Sequence, residues 1–235
     1  MMRCGKMSRC MFLAVTCALA IAARGAEKGV PLVVNGTPMA SVVLPANPWP
    51  VEKYAAEEFV RFVKRASGAE LKIVTQPFAG MNQVRIGRAS GLSGFEPFNG
   101  IIRSEDGVLK IAGGDDDGDL KSSFTKCGTL FAVYEFIERG LGVLWLWPDE
   151  NLGVVVRPRK TIVVPKGSRE FKRAFDSSVL RRLPIAWQRR VARAHGYPRP
   201  MQFPPALSGG HVFGKWWQTY GKTNPDFFEM DANGT

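Results

Sequence analysis

Apolar side chains recur at helical spacing in two stretches of the chain. The first stripe runs from Val51 to Ala66, begins after Pro50 and is followed by Gly68, a residue typical of a helix end. The second stripe runs over residues 130–141 and is closed by glycines. The opposite face of the first stripe carries charged residues, and both helices are predicted to pack on one face of a sheet.

Short apolar runs bounded by Gly, Pro, Asn or Asp predict the strands of that sheet. Asn35-Gly36 between two such runs predicts a hairpin, although Pro38 weakens it. The order of strands, helix, strands, helix and strands predicts an α+β fold, with one mixed sheet that carries both helices on one face. The predicted strands cover residues 32–34, 41–44, 71–74, 84–87, 100–103, 108–112, 143–147 and 161–164.

The first 25 residues have the pattern of a secretory signal peptide. Arg3, Lys6 and Arg9 precede an uncharged apolar run over residues 11–23, which is shorter than the roughly 20 residues that span a bilayer. A membrane anchor and a lipoprotein fit this pattern less well, and no later stretch is apolar enough to span a membrane. We therefore expect a secreted, periplasmic or cell-surface protein.

The number of cysteines and the distribution of charge limit the kinds of site and partner that this chain is expected to have. Three of the four cysteines lie in the signal segment, so Cys127 alone cannot form an internal disulfide or a zinc site and is expected to be a packing residue. Residues 157–200 contain 13 basic and 2 acidic side chains. No nucleic-acid-binding motif accompanies this basic block, and a secreted protein rarely meets nucleic acid. We expect the block to form a solvated or interdomain face, and contact of part of this face with acidic glycan stays open as a second role.

A domain boundary is predicted at residues 166–168, after a module over residues 29–166. The second segment, residues 169–235, predicts a strand at 171–175, a basic helix at 187–194 and a strand at 227–230. Asn233-Gly234 then predicts a tight turn into a return strand. Because that partner strand lies beyond the sequence, we expect residues 169–235 to be the incomplete start of a second domain.

The sequence offers few groups for chemistry. The glycine- and aspartate-rich residues 113–118 lack the spacing of a phosphate or calcium loop and predict a solvated turn. Trp145 and Trp147 are predicted to share one strand face, where core packing is favoured over sugar stacking. The acidic pairs are adjacent in sequence and cannot face each other across a glycoside. We therefore predict no catalytic residue, no metal site and no cofactor.

His211, Trp216 and Trp217 are the candidate substrate-binding residues. His211 follows two glycines, which allow a ligand to approach the backbone closely, and the two tryptophans follow it. A sugar-binding histidine and a structural histidine in an aromatic cluster explain this pattern equally well, and both interpretations stay open.

Two segments together resemble the N-terminal domains of α-glucuronidases. They are Tyr54-Ala55-Ala56-Glu57-Glu58-Phe59 with Ser67-Gly68-Ala69-Glu70-Leu71, and residues 128–138 with Leu141-Gly142-Val143-Leu144-Trp145 and Pro148. The same group includes the second domain of β-hexosaminidases. Residues 210–228 resemble the start of a domain of unknown function that follows in secreted bacterial glycoside-hydrolase-like proteins.

The resemblance implies carbohydrate as the partner and a (β/α) barrel downstream, which needs about 250 residues. The family's catalytic carboxylates lie later in that barrel, so none is transferred to this sequence. The expected function is the accessory N-terminal portion of a secreted polysaccharide-degrading glycosidase whose catalytic domain is missing here. A non-catalytic carbohydrate-binding or scaffolding module, and a surface structural protein without a glycan role, are the alternatives.

Overall fold

The computed structural model describes residues 29–175, 177–178, 180, 182–196 and 213–228. The chain forms two compact units, Met1–Pro198 and Arg199–Thr235. The described part of the first unit contains the sheets and three α-helices, and the described part of the second contains one helix and one 3-10 turn.

A six-stranded mixed sheet forms the centre of the first unit, in the order β11-β6-β7-β5-β3-β4. Strands β3, β4, β5 and β7 run parallel to their neighbours in this group, whereas β6 pairs antiparallel with both β7 and β11. The predicted mixed α+β fold is confirmed. The bounds of the six strands are β3 (Ala40–Val43), β4 (Ile73–Val74), β5 (Asn82–Ile86), β6 (Gly100–Glu105), β7 (Val108–Gly113) and β11 (Gly167–Phe171).

A separate three-stranded sheet, in the order β10-β1-β2, contains β1 (Gly29–Val34), β2 (Thr37–Pro38) and β10 (Ile162–Pro165). The predicted turn at Asn35-Gly36 is present, with φ of 51° and 80° at the two residues. The hairpin is only two residues long on its second arm, because Pro38 has no backbone N–H and β3 turns into the other sheet. The prediction of one sheet was therefore wrong in this detail.

Helix α1 (Pro50–Ser67) begins and ends as predicted. At its start the Trp49 N–H donates to the Glu52 carboxylate at 2.7 Å, and at its end Gly68 adopts φ 80° and donates to the Lys64 carbonyl at 2.8 Å. Its buried stripe includes Phe59 and Phe62, which are fully buried. Burial of each such ring contributes roughly 1.5–3 kcal/mol, so α1 is a core helix.

Helix α2 (Gly128–Glu135) continues into a wider π turn, Phe136–Gly140. The helix contacts α1 and the strands β6 and β7, so both helices lie on one face of the six-stranded sheet, as predicted. Its buried residues Leu130, Phe131 and Tyr134 complete the core between helices and sheet.

A two-stranded hairpin, β8 (Leu144–Trp145) with β9 (Val154–Val155), follows the π turn. After β10, the chain adds β11 to the six-stranded sheet and forms the basic helix α3 (Ile185–Ala192), which confirms the predicted helix at 187–194. The compact unit thus reaches past the boundary predicted at residues 166–168, because β11 pairs with β6. A strand was predicted at residues 171–175. The observed strand in this segment is β11 (Gly167–Phe171), which shares only Phe171 with the predicted one.

In the second unit, helix α4 (Phe213–Tyr220) precedes a 3-10 turn, Pro225–Phe227. This turn occupies the start of the strand predicted at 227–230, whose last two residues lie outside the described part of the chain. The predicted barrel stays a prediction.

Candidate functional sites

The three predicted substrate-binding residues lie in the second unit. His211 is outside the described residues, whereas Trp216 and Trp217 lie on α4 with 53% of each residue exposed. The Trp217 ring packs edge-on against Phe228, with 5.2 Å between ring centres. Both indoles therefore remain accessible to a ligand, and their role stays a prediction.

Trp147 is an exposed indole that the strand pattern did not reveal. Strand β8 ends at Trp145, whose ring packs against Phe62 at 5.0 Å, as predicted for a core residue. The N–H groups of Leu146 and Trp147 both donate to the Gly153 carbonyl. The chain therefore forms a loop after Trp145, and side chains no longer alternate between two strand faces. Trp147 is 68% exposed, and its predicted core packing was wrong.

Helix α3 is held against α1 by a buried arginine. The Arg190 side chain is only 4% exposed, and its Nε and Nη2 donate to Glu58 Oε2 at 3.0 and 2.9 Å. Its Nη1 pairs with the Glu150 carboxylate. The guanidinium also lies 5.7 Å from the Trp145 ring and 5.4 Å from the Trp187 ring. One side chain thus joins α3 to α1 and to the loop after β8.

The charges around Arg190 are mutually stabilised. Burial works to lower the pKa of Arg190, but attraction by Glu58 overrides it and the pKa rises above its usual range. Burial also opposes ionisation of Glu150, but hydrogen bonding to Arg190 outweighs it and holds the pKa of Glu150 below its ordinary value. Burial raises the pKa of Tyr134, so its hydroxyl stays protonated and donates to Glu58 at 3.2 Å.

Two further arginines of this segment support the contact. Arg189 donates to the Leu120 and Ser122 carbonyls at 2.6 and 2.7 Å, and Arg193 pairs with Glu138 at 2.6 Å. We call Arg189, Arg190 and Arg193 the arginine anchor. These residues belong to the block that the sequence predicted as a solvated or interdomain face; all three side chains are instead largely buried within the first unit.

A second polar cluster lies where the parallel strands β3, β5 and β7 end. Glu52 is fully buried and accepts hydrogen bonds from the Arg88 backbone N–H at 2.7 Å and from Arg88 Nη2 at 2.8 Å. The Arg88 guanidinium stacks on Trp49 at 4.1 Å. The carboxylate therefore ties the chain after β5 to the first turn of α1.

Asp115 follows β7 and caps the start of α2. Its Oδ1 accepts the Thr129 N–H at 2.9 Å, and its Oδ2 bonds to the Thr129 hydroxyl. Burial raises the pKa of Asp115 to about 7, although the Thr129 hydrogen bonds work in the opposite direction. The predicted solvated turn was therefore wrong for this residue, since Asp115 is a structural cap.

Cys127 is fully buried just before α2, and burial raises the pKa of its thiol to about 12. A thiol with so little thiolate at neutral pH is a poor nucleophile. The structure agrees with the predicted packing role.

A cavity of about 280 Å³ beside β11 carries two carboxylates, Glu96 and Glu170. A glycosidase needs facing carboxylates, and its acid is kept protonated by apolar surroundings. Here Glu96 is exposed, and Glu170 forms an ion pair with Lys172 at 3.1 Å. These two solvated groups lack the environment of a catalytic acid.

Three other cavities carry at most one carboxylate each. The largest, about 650 Å³, lies where β3 and β4 end and includes Glu57. A cavity of about 350 Å³ between the π turn and β11 includes Glu135, and one of about 290 Å³ beside His195 includes none.

Within the described ranges, no group of three or more His, Cys, Asp or Glu side chains is placed to hold a metal ion. No helix in the same ranges is both long and apolar enough to cross a bilayer.

No protein family and no curated protein sequence matches the chain. Among solved structures it is similar to a family GH115 4-O-methyl-α-glucuronidase with specificity for decorated arabinogalactans, at 20% identity and a TM-score of 0.42 over 60% of this chain and 18% of that one. It is also similar to the GH20 β-N-acetylhexosaminidase of Streptomyces coelicolor A3(2), at 13% identity and a TM-score of 0.40 over 65% and 26% of the two chains.

A third similar structure is a Streptomyces plicatus β-hexosaminidase, at 15% identity and a TM-score of 0.31 over 59% of this chain and 24% of that one. The chain spans 18–26% of the length of these structures. They belong to the two groups of enzyme that the sequence resembles. The domain of unknown function stays a prediction.

Proposed function

We propose that this chain is the N-terminal accessory portion of a secreted carbohydrate-active enzyme, a glycoside hydrolase whose catalytic residues lie outside these 235 residues. The carbohydrate class of the proposal comes from the sequence resemblance. Its accessory character comes from the arginine anchor, which is the observation that carries it.

The anchor joins the chain after the sheet to the two core helices. Arg190 pairs with Glu58 of α1, and Arg193 pairs with Glu138 of the π turn. A buried, doubly paired arginine fixes one orientation, because any other placement leaves a charge unpaired in a poorly solvated site. Helix α3 is therefore held as a rigid part of the first unit, which suits the structural task of an accessory domain.

The cavities favour the same conclusion. The two-carboxylate cavity exposes Glu96 and pairs Glu170 with Lys172, so neither group has the apolar surroundings that prepare a general acid. The anchor carboxylates Glu58 and Glu150 are occupied by arginine. We therefore expect the described residues to bind and position rather than to cleave.

The test is a hydrolysis assay of the purified chain. Aryl glycosides of neutral, amino and acidic sugars, and soluble polysaccharides, are incubated with it, and released phenol and reducing ends are measured. We expect no turnover above the rate without protein. Turnover that survives further purification and is lost in a Glu96→Gln or Glu170→Gln variant would refute the proposal.

The exposed indoles favour a carbohydrate-binding or scaffolding module as a second candidate. Trp147 is 68% exposed and lies on a loop. Within this loop the Asp149 carboxylate accepts hydrogen bonds from the N–H groups of Asn151 and Leu152, and Glu150 pairs with three arginines. A fixed, exposed indole is a suitable platform for the apolar face of a sugar ring.

Affinity electrophoresis in polysaccharide gels tests this second candidate. We compare Trp147→Ala, Trp217→Ala and His211→Ala with Phe78→Ala, which removes another exposed aromatic ring, 48% exposed. Retardation that is lost in a tryptophan or histidine variant but not in the Phe78 control supports glycan binding at that residue. Unretarded migration of the parent chain in every gel excludes this candidate for the glycans used.

A further inference from the structure

The cavity between the π turn and β11 has an apolar floor and a basic rim. Its volume is about 350 Å³, at the lower end of the range of small-ligand pockets. Ile102, Phe136 and Val164 line the floor, whereas Arg139 and Arg169 lie at the rim. The wide π turn places Phe136 and Arg139 on the same cavity, and turns of this kind are frequent at functional sites.

The two rim arginines share one carboxylate. Arg139 Nε pairs with Glu135 Oε1, and Arg169 Nη1 lies 4.0 Å from the same oxygen. The Arg169 guanidinium forms no hydrogen bond within the described residues, and 57% of its side chain is exposed. Most of its donors are therefore free to bind a ligand.

The local charge favours an anion. Glu135 also lies 3.9 Å from Arg193, which is paired with Glu138. Three arginines thus surround two glutamates, which leaves one net positive charge beside the cavity. A monoanion would neutralise this excess, and the planar guanidinium fork matches the two oxygens of a carboxylate.

We propose that this cavity binds a small organic carboxylate, with the carboxylate on Arg139 and Arg169 and an apolar face of the ligand on Phe136 and Val164. A uronic sugar and a non-sugar ring carboxylate share this chemistry. The proposal is independent of the glycosidase assignment, because it needs only the cavity and its charges.

Isothermal titration of the chain at low salt is the test, with galacturonate, cyclohexanecarboxylate, neutral galactose and inorganic sulfate as probes. We expect one or both carboxylates to bind and galactose to bind more weakly. Binding of galacturonate alone identifies a sugar site, and equal binding of both carboxylates identifies a general carboxylate site. No binding of either carboxylate, or tighter binding of galactose or sulfate, would overturn the proposal.

Two variants locate the site. Arg169→Gln should weaken carboxylate binding about tenfold, because it removes a charge-assisted hydrogen bond. Arg103→Gln is the matched control, since Arg103 has a similar 3.9 Å pair with Glu105 but alternates with Ile102 and so projects from the other face of β6. Equal affinities of Arg169→Gln and the parent chain would place any binding elsewhere and refute the site.

Discussion

Replacing Arg190 with methionine tests whether the arginine anchor stabilises the fold. Methionine keeps an unbranched side chain beside Trp145 and Trp187 and removes the charge that lies over their rings. Glu58, whose side chain is 5% exposed, then loses its pairs at 2.9 and 3.0 Å to Arg190. It keeps Arg61 at 2.8 Å and the Tyr134 hydroxyl at 3.2 Å.

The size of the effect follows from these contacts. Removing one partner of a buried ion pair costs about 3–5 kcal/mol, and the remaining partners of Glu58 place this variant near the lower end, about 3 kcal/mol. The pair with Glu150 adds about 0.5 kcal/mol or less, because a carboxylate that is 42% exposed is readily rehydrated. The free energy of unfolding should therefore fall by about 3 kcal/mol.

Urea unfolding followed by far-UV circular dichroism measures this change, and an unchanged slope shows that the folded state is otherwise intact. Arg157→Met, at an exposed arginine of the same basic block, is the control and should have little effect. The double variant Arg190→Met/Glu58→Gln should recover about 1–2 kcal/mol, because it removes the unpaired charge. A loss below about 1 kcal/mol in Arg190→Met, or no recovery in the double variant, would refute the reasoning.

Three further predictions concern single residues. The pKa of Asp115 is raised from 3.8 to about 7, so the protonated carboxyl stabilises the folded state below pH 4. This stabilisation is lost as pH rises to 7, and the free energy of unfolding falls by up to about 4 kcal/mol. Asp115→Asn should flatten this part of the stability–pH curve measured by urea unfolding, and an unchanged curve would contradict it. Gly87→Ala places a Cβ 2.4 Å from the Glu52 carboxylate at φ +61° and should lower the free energy of unfolding by about 2 kcal/mol or more. Gly80→Ala, in open space at φ +76°, should lower it by only about 1 kcal/mol in the same urea assay. Equal losses in the two variants would contradict this prediction. In a chain whose other three cysteines are replaced by alanine, the Cys127 thiol should react with a thiol reagent only after unfolding, and rapid modification in native buffer would show that the residue is accessible.

Local patterns were sufficient to predict the main helices. The first helix was predicted to begin at Pro50 and to stop at Gly68, and the structure places it at Pro50–Ser67 with Gly68 as its left-handed cap. Both signals act within a few residues, through a fixed proline φ and the freedom of glycine at positive φ. The strands predicted at residues 100–103 and 108–112 depend on signals that are equally local, and in the structure Asp106-Gly107 connects them as the turn between β6 and β7.

The arginine anchor could not be predicted in this way. Arg190 lies in a block of basic residues, which by composition indicates a solvated face. Its burial depends on Glu58, which lies 132 residues earlier in the chain. The prediction for Trp147 was wrong for a related reason. The Gly153 carbonyl accepts hydrogen bonds from the N–H groups of Leu146 and Trp147, so strand β8 ends before the alternation of faces reaches Trp147. Charge and periodicity describe residues at fixed short spacings, whereas Arg190 depends on a contact across 132 residues and Trp147 on a loop hydrogen bond that follows no periodic spacing.

The pairing of β1 with β10 has a consequence for how the module can be joined to other chains. Gly29 lies opposite Pro165, and the Asn35 N–H bonds to Thr161 across 126 residues of sequence. The start of β1 therefore lies beside the end of β10, so a domain fused in front of Gly29 would join the module next to the point where the chain crosses from the three-stranded sheet into β11. Because so long a loop must close first, the three-stranded sheet should also be among the last parts to assemble during folding.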